Sequence, residues 1–259
     1  MKLQWLSPLA HYRFWRPYAM ALRYLLRNDG PWFAVWAYAT SHLANRRLGM
    51  AGQPAQQAFK AQVAASLTLS KDWFTFNIPY WEWIFAQCNL TPDRPLSILE
   101  IGSWEGLSTY YLLQHFPQAS LTAVDTWEGA DEHKSGVAAT QEVLSQIEQA
   151  FDHNLAPYAA RLTKYKGLSY QYYLAHPARP EFDLIYVDGS HYCDDVLIDA
   201  LHSFARLKPG GVMIFDDYLW QHYPNSRHNP ASAIHAFLRL KRPEIELLRA
   251  YRQLAIRKR

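Results

Sequence analysis

Between residues 96 and 113 the chain reads Leu-Ser-Ile-Leu-Glu-Ile-Gly-Ser-Trp-Glu-Gly-Leu-Ser-Thr-Tyr-Tyr-Leu-Leu, and no other stretch restricts the fold as much. Ile98, Leu99 and Ile101 form a short apolar run that Gly102 ends, and from Glu105 onward Leu107, Tyr110, Tyr111 and Leu113 recur at helical spacing. The reading is strand, tight turn, helix. Gly102 and Gly106 let the backbone take unusual dihedrals and let a ligand lie against the main chain, while the helix start presents free N–H groups to a polar or anionic group. A plain strand-to-helix corner has the same glycines, so the turn needs support. Leu121 to Asp125 supplies it: a second strand ending in an acid, 25 residues after Glu100, where a doubly wound fold sets the carboxylate that takes two ribose hydroxyls.

Beyond this turn the same unit repeats. Short apolar strands are expected at 97–101, 120–125, 161–166, 182–187 and 211–216, with helical patterns between them, notably 137–151 and 193–207. Such alternation implies right-handed crossovers and a parallel sheet covered on both faces. The tail, 244–249 then 252–258, reads as a hairpin and brings the sheet to seven strands. At 259 residues, 49% hydrophobic and 19% charged, the chain holds one α/β domain with a large core and an appendage. The expected division is a helical extension over 1–90 and the α/β domain over 91–259.

Ligands of such sheets sit outside the carboxyl ends of the strands. The fourth strand ends in Asp188-Gly-Ser-His191 and the fifth in Asp216-Asp217-Tyr218. Three carboxylates at one edge repel one another unless a cation or hydrogen-bond donors neutralise them. Hard oxygen ligands with room left for water suit Mg²⁺ best, then Mn²⁺. The plainer alternatives are a helix-capping role for one of the Asp216–Asp217 pair, and for His191 a cap on the helix 193–207. Residues 220–230, with His222, Tyr223 and His228, follow the acid pair and are expected to overhang the pocket.

The turn Glu100-Ile-Gly102-Ser-Trp-Glu-Gly106 departs from the G-x-G-x-x-G of dinucleotide sites, and Trp104 stands where a pyrophosphate would approach. Its pattern, E-x-G-x-x-x-G with an aromatic two residues after the first glycine, resembles motif I of the class I S-adenosylmethionine-dependent methyltransferases. The metal-dependent O-methyltransferases of the catechol and macrolide-sugar types are the most similar branches. The resemblance covers about residues 95–258. It implies a Rossmann-like, doubly wound seven-stranded sheet with its last strand antiparallel, preceded here by the helical extension. It implies S-adenosylmethionine as cofactor, with Glu100, Gly102, Ser103, Trp104 and Gly106 at its methionine and ribose end, Asp125 on the ribose hydroxyls, and Gly167 and Ser169 bordering adenine. Asp188, Asp216 and Asp217 match the metal ligands of the family. The general base lies three residues after the first of these, a lysine in the catechol branch and His191 here, as in the sugar-modifying relatives. A histidine fits a base working near neutrality. The acceptor implied is a hydroxyl of a sugar, glycan or other small molecule, a sugar with a vicinal oxygen ahead of a catechol-like phenol.

Residues 1–50 differ in composition from the rest. Lys2, Arg13, Arg16, Arg23, Arg27, Arg46 and Arg47 stand against one acid, Asp29, and aromatics interleave with them from Trp5 to Tyr38. Asn28-Asp-Gly-Pro31 splits this arm into two helical segments, 49–57 reads as a linker, and 58–90 as further helix that walls the site. The arm is expected to pack on its own domain or on a second copy in a homo-oligomer. Peripheral contact with an anionic inner membrane is the alternative. The net charge of +3 is too mild to argue for nucleic acid. No apolar run is long enough to span a bilayer and no export signal is expected, so Cys88 and Cys193 read as thiols in a reducing cytoplasm. Two rivals stand beside the methyltransferase reading. One is an NAD-dependent oxidoreductase, the other a membrane- or partner-docking module with a degenerate methyltransferase domain.

Overall fold

The computed structural model describes residues 8–130 and 139–259, with side chains from residue 15 onward. Lys2 and Trp5, the side chains of Tyr12, Arg13 and Phe14, and the first two residues of the expected helix 137–151 lie outside what is described. One seven-stranded sheet is built from β1 (Ser97–Ile101), β2 (Ser120–Asp125), β3 (Leu162–Lys166), β4 (Phe182–Val187), β5 (Leu207–Phe215), β6 (Ile245–Ala250) and β7 (Leu254–Lys258), in the order β3-β2-β1-β4-β5-β7-β6. β1 to β5 pair in parallel. β7 runs antiparallel to both β5 and β6, which is the expected terminal hairpin.

Strands buried on both faces are continuously apolar, and alternate residues feed different cores. Leu99, Ile101, Ile185, Val187, Met213 and Phe215 enter one core; Ile98, Leu184, Tyr186, Val212 and Ile214 enter the other. The first is covered by α1 (Pro8–Arg27), α2 (Trp32–Ala51), α8 (Cys193–Arg206) and α9 (Pro230–Leu240). The second is covered by α3 (Gln53–Ser66), α4 (Ile78–Gln87), α5 (Leu107–His115) and α6 (Ile147–Leu155). A short helix α7 (Ser169–Ala175) follows β3.

The N-terminal helices are built into this body. Tyr24, Leu25, Ala34 and Tyr38 share the first core with β1 and β4. At the turn between α1 and α2, Asn28 offers its carbonyl to His235 Nδ1 at 2.7 Å and its side-chain oxygen to Ser232 Oγ at 3.0 Å. The Tyr24 hydroxyl donates to the Trp220 carbonyl at 3.1 Å.

Three expectations are corrected. The linker over 49–57 is absent: α2 runs to Ala51 and α3 begins at Gln53, with Gly52 alone between them. A Cβ on Gly52 would lie 2.2 Å from Pro79 Cγ, so the corner packs tightly on α4, and the polar run is the exposed side of α3. Nor is 58–90 one helix. After Ser66 the chain is non-helical as far as a single 3₁₀ turn, Thr75–Asn77, and this interruption carries Leu69, Trp73 and Phe76 to the site. β5 starts at Leu207 rather than 211, because Leu207 pairs with Phe182 ahead of a register break.

Candidate active site

The register of β1 on β4, with Ile101 opposite Val187, lays Gly102 against Asp188. Gly102 has φ +84°, and a Cβ there would fall 2.0 Å from the Asp188 carbonyl oxygen. Only glycine lets the two loops approach this closely. Gly106 also has φ +84°, but its missing Cβ makes room for Leu155 Cδ2, 2.2 Å from where it would stand, so this glycine serves the packing of α5 on α6.

At the carboxyl ends of the strands is a cavity of about 610 Å³. Into it the β1 turn brings Gly102, Ser103 and Trp104, β2 brings Asp125, the loop after β3 brings Gly167 and Ser169, β4 brings Asp188 and His191, and β5 brings Asp216 and Asp217. Ten of the twelve residues singled out from the sequence thus meet in one place. Glu100 and Gly106 are not among its lining residues.

Glu100 instead braces the turn from behind. It is fully buried and accepts hydrogen bonds from Ser108 at 2.6 Å, Ser103 at 2.9 Å and Thr109. Burial pushes its pKa up to about 7 against those three donors. The folded protein therefore holds a proton between the ordinary 4.5 and about 7 that the unfolded chain releases, so this contribution to stability is full below that window and falls as pH rises through it. Thermal unfolding against pH is expected to show wild type losing stability relative to Glu100→Gln across the window, by on the order of 3 kcal/mol at most. Parallel curves throughout would mean a carboxyl ionised in the fold.

Asp125 also does more than was expected of it. Its Oδ2 accepts the backbone N–H groups of Ser103 at 2.7 Å and Trp104 at 2.9 Å, and its Oδ1 that of Trp127 at 2.7 Å. Each carboxylate oxygen has two lone pairs, so Oδ1 keeps room for one further donor. A ribose would find one acceptor there, where the sequence reading expected two. Trp104 and Trp127 take left-handed backbone, φ +49° and +54°, as does Asp217 at +51°. Non-glycine residues in that region are uncommon, and these three lie in the turns that follow β1, β2 and β5.

The acid cluster is split. Asp188, His191 and Asp217 present ligand atoms that all lie within 4.8 Å of one another. His191 Nε2 is 3.0 Å from Asp217 Oδ2 and 3.7 Å from Asp188 Oδ1. Asp216 turns away: its Oδ1 accepts the Asp217 N–H at 2.8 Å and its Oδ2 the Asn77 amide at 3.4 Å. Tyr186 joins the halves, its hydroxyl reaching Asp188 Oδ2 at 2.8 Å and also Asp216 Oδ2. A phenol has one hydrogen, so one of the two carboxyls carries a proton when both bonds are made. Burial, then the charges of Asp188 and Asp217, push Asp216 well above the ordinary carboxylate range. Asp188 is raised to about 6, by burial first and by Asp217, against the pull of His191. A cation would relieve that repulsion: the carboxylate oxygens of Asp188 and Asp217, with water completing the shell, fit Mg²⁺ or Mn²⁺ and leave the imidazole of His191 beside them for proton transfer.

The walls are aromatic. Trp220 packs its ring 4.6 Å from that of His191, and Trp73 lies 5.1 Å from Trp104. Of the segment 220–230, Trp220 is the residue that lines the cavity; His228 and Tyr223 pack on Tyr192 instead, correcting the expected overhang. Sequence reasoning missed Tyr186 and Asn77. Tyr186 had a signal, since it lies two residues before Asp188 and so on the same face of the strand. Asn77 had none, being 139 residues from Asp216.

Residues 99–218 match a family described as a methyltransferase domain. Over 128 residues the chain is 29% identical to the uncharacterized protein y4gI of Sinorhizobium fredii (strain NBRC 101917 / NGR234), a match covering 48% of this chain and 13% of that protein. Solved structures of similar fold include MycE, a methyltransferase from the mycinamycin biosynthetic pathway, in complex with Mg, SAH and mycinamycin VI: TM-score 0.52, 16% identity, 77% of this chain and 54% of that one. TomG, an O-methyltransferase from Streptomyces achromogenes involved in tomaymycin synthesis, in complex with SAM, matches at TM-score 0.50 and 16% identity over 80% of this chain and 87% of its own. An O-methyltransferase from Bacillus cereus in complex with SAH matches at 0.50 and 15% over 78% and 90%. The likeness is one of fold, and the chain spans about half the length of MycE.

Proposed function

We propose, from the premise that residues 99–218 form a methyltransferase domain, that this protein transfers the methyl group of S-adenosylmethionine to a hydroxyl oxygen of a sugar, a glycan or another small molecule, assisted by Mg²⁺ or Mn²⁺. The observation that carries the reading is the single cavity in which the Gly102–Trp104 turn faces Asp188, His191 and Asp217. Trp104 in that turn argues against the pyrophosphate of NAD, and an intact acid–histidine cluster argues against a degenerate domain.

Methyl transfer from a sulfonium is an in-line displacement. The acceptor oxygen bonds to the methyl carbon while the carbon–sulfur bond breaks, and its electron pair stays on sulfur as a neutral thioether. Alignment of donor and acceptor supplies much of the rate. The donor would lie along the Ser103–Trp104 backbone, with the remaining lone pair of Asp125 on a ribose hydroxyl and the Gly167–Ser169 loop beside the base. His191 takes the hydroxyl proton as general base, and Asp217, 3.0 Å from Nε2, stabilises the imidazolium that forms. Trp220 covers the ring of His191 and keeps water from that side. Asp188 and Asp217 are the residues that would hold the cation, which when bound lowers the pKa of the attacking hydroxyl. Flat aromatic walls with a few polar groups suit a ring-shaped polar acceptor, hence a sugar first. Action in the cytoplasm belongs to the proposal; Cys88 and Cys193 are free thiols.

Calorimetry with S-adenosylhomocysteine and with NADH tests the cofactor. The thioether is expected to titrate to one site and NADH to give no heat; the reverse pattern would replace the reading with a redox one. Chelation is expected to stop turnover and added Mg²⁺ to restore it, whereas full activity in excess chelator would remove the metal and leave methyl transfer standing.

A further inference from the structure

We infer that the outer face of the α1–α2 hairpin is a docking surface for an anionic membrane. On α2, Trp32, Trp36, Leu43 and Met50 are all exposed, Trp32 by 77% and Trp36 by 66%. At 3.6 residues per turn these four fall within an arc of about 40° on the helix. Arg46 and Arg47, both exposed, lie on either side of that stripe. α1 also carries exposed Met20 and Leu26 and the exposed Arg23 and Arg27.

Single exposed apolar residues need no explanation, but a contiguous stripe of tryptophan, leucine and methionine marks a contact surface. It is not a core face left uncovered, because Tyr24, Leu25, Ala34 and Tyr38 on the inner side already meet the core. Charge selects the occupant. Arg16, Arg23, Arg27, Arg46 and Arg47 stand on these two helices and their connecting turn against Asp29 alone, and Asp29 is engaged by Arg227 at 3.4 Å. A second copy docked through the same patch would set arginine against arginine, since an isologous interface pairs a surface with itself. An anionic bilayer offers the opposite charge together with an apolar layer that tryptophan enters at headgroup depth. Contact is peripheral: among the described residues no helix is long and apolar enough to cross a membrane.

Flotation of the full chain with vesicles provides the test, and it does not depend on the proposed chemistry. The protein is expected to float with equimolar phosphatidylcholine–phosphatidylglycerol vesicles at low salt and to stay behind with phosphatidylcholine alone. The exposed pairs Trp32→Ser/Trp36→Ser and Arg23→Glu/Arg47→Glu are each expected to lower the bound fraction at least about tenfold. Binding of S-adenosylhomocysteine and the unfolding temperature serve as controls and are expected to be unchanged, since none of the four touches the cavity. Failure to float with either vesicle, equal flotation with both, or variants that float like wild type would each overturn the inference. Sedimentation velocity is run alongside; a wild-type dimer that the tryptophan pair converts to monomer would assign the face to a second copy and overturn it as well.

Discussion

An enzyme carrying His191→Ala is expected to bind S-adenosylhomocysteine as wild type does and to lose about 10²–10⁴-fold in kcat, the range that a positioned general base contributes. The separation follows from the geometry. In the proposed mechanism His191 acts on the acceptor with Asp188 and Asp217, whereas the donor would lie against the β1 turn, Asp125 and the loop after β3. Asp188→Ala is expected to fall in the same range and to spare the cofactor equally. The double variant should be little worse than either single one, because groups that act on one proton and one oxygen are lost as a unit. Single-turnover rates with calorimetry on the same preparations decide the matter. A kcat within about tenfold of wild type for His191→Ala would take the imidazole out of proton transfer.

Gly102→Ala is expected to have the largest effect of any single methyl added to this fold. Left-handed backbone costs an alanine about 1–2 kcal/mol, and the new Cβ would lie 2.0 Å from the Asp188 carbonyl oxygen, 2.5 Å from its carbon and 2.7 Å from Gly189 Cα. These are backbone atoms, which cannot swing aside, so overpacking of roughly 1–3 kcal/mol adds to the torsional cost. Together they lower the melting temperature by about 10 °C for a chain of this size. Relaxing the clash drives the β1 turn away from the β4 loop, so cofactor affinity and turnover are lost together. Gly210→Ala is the control: φ is +78° there too, but nothing lies within 4 Å of the added carbon. It is expected to cost the torsional part alone and to leave activity intact. Equal melting temperatures for the two variants would show that the contact between the loops is not tight.

β1, β2 and β4 were legible because each is a short, mostly apolar run closed by a glycine or an acid. β1, β2 and β4 coincide with 97–101, 120–125 and 182–187. Where local sequence misled, a longer-range partner had intervened. The polar stretch over 49–57 is helix on either side of Gly52, which lets the corner seat on Pro79. The apolar 67–77 segment is not regular helix, and the chain there is held by partners far along it: the Thr68 N–H donates to Asn154 Oδ1 at 2.8 Å and the Ser70 N–H to Glu105 Oε2 at 2.7 Å. No propensity in either segment encodes those bonds.

The sequence by itself determined that a glycine turn, an acid on the next strand and acids after the fourth and fifth strands belong to one sheet edge, since side-chain type and period follow from covalent order alone. Tertiary structure alone decided which carboxylate does what. Asp216 and Asp217 are neighbours in the chain and both line the cavity, yet the left-handed turn at Asp217 aims one carboxyl at His191 while Tyr186 and Asn77 engage the other. Glu100 likewise reads as a ligand residue and is a buried brace, because the hydroxyls of Ser103, Ser108 and Thr109 claim its oxygens. A carboxylate's role depends on which donors surround it and how much water remains, and both are properties of packing between distant segments.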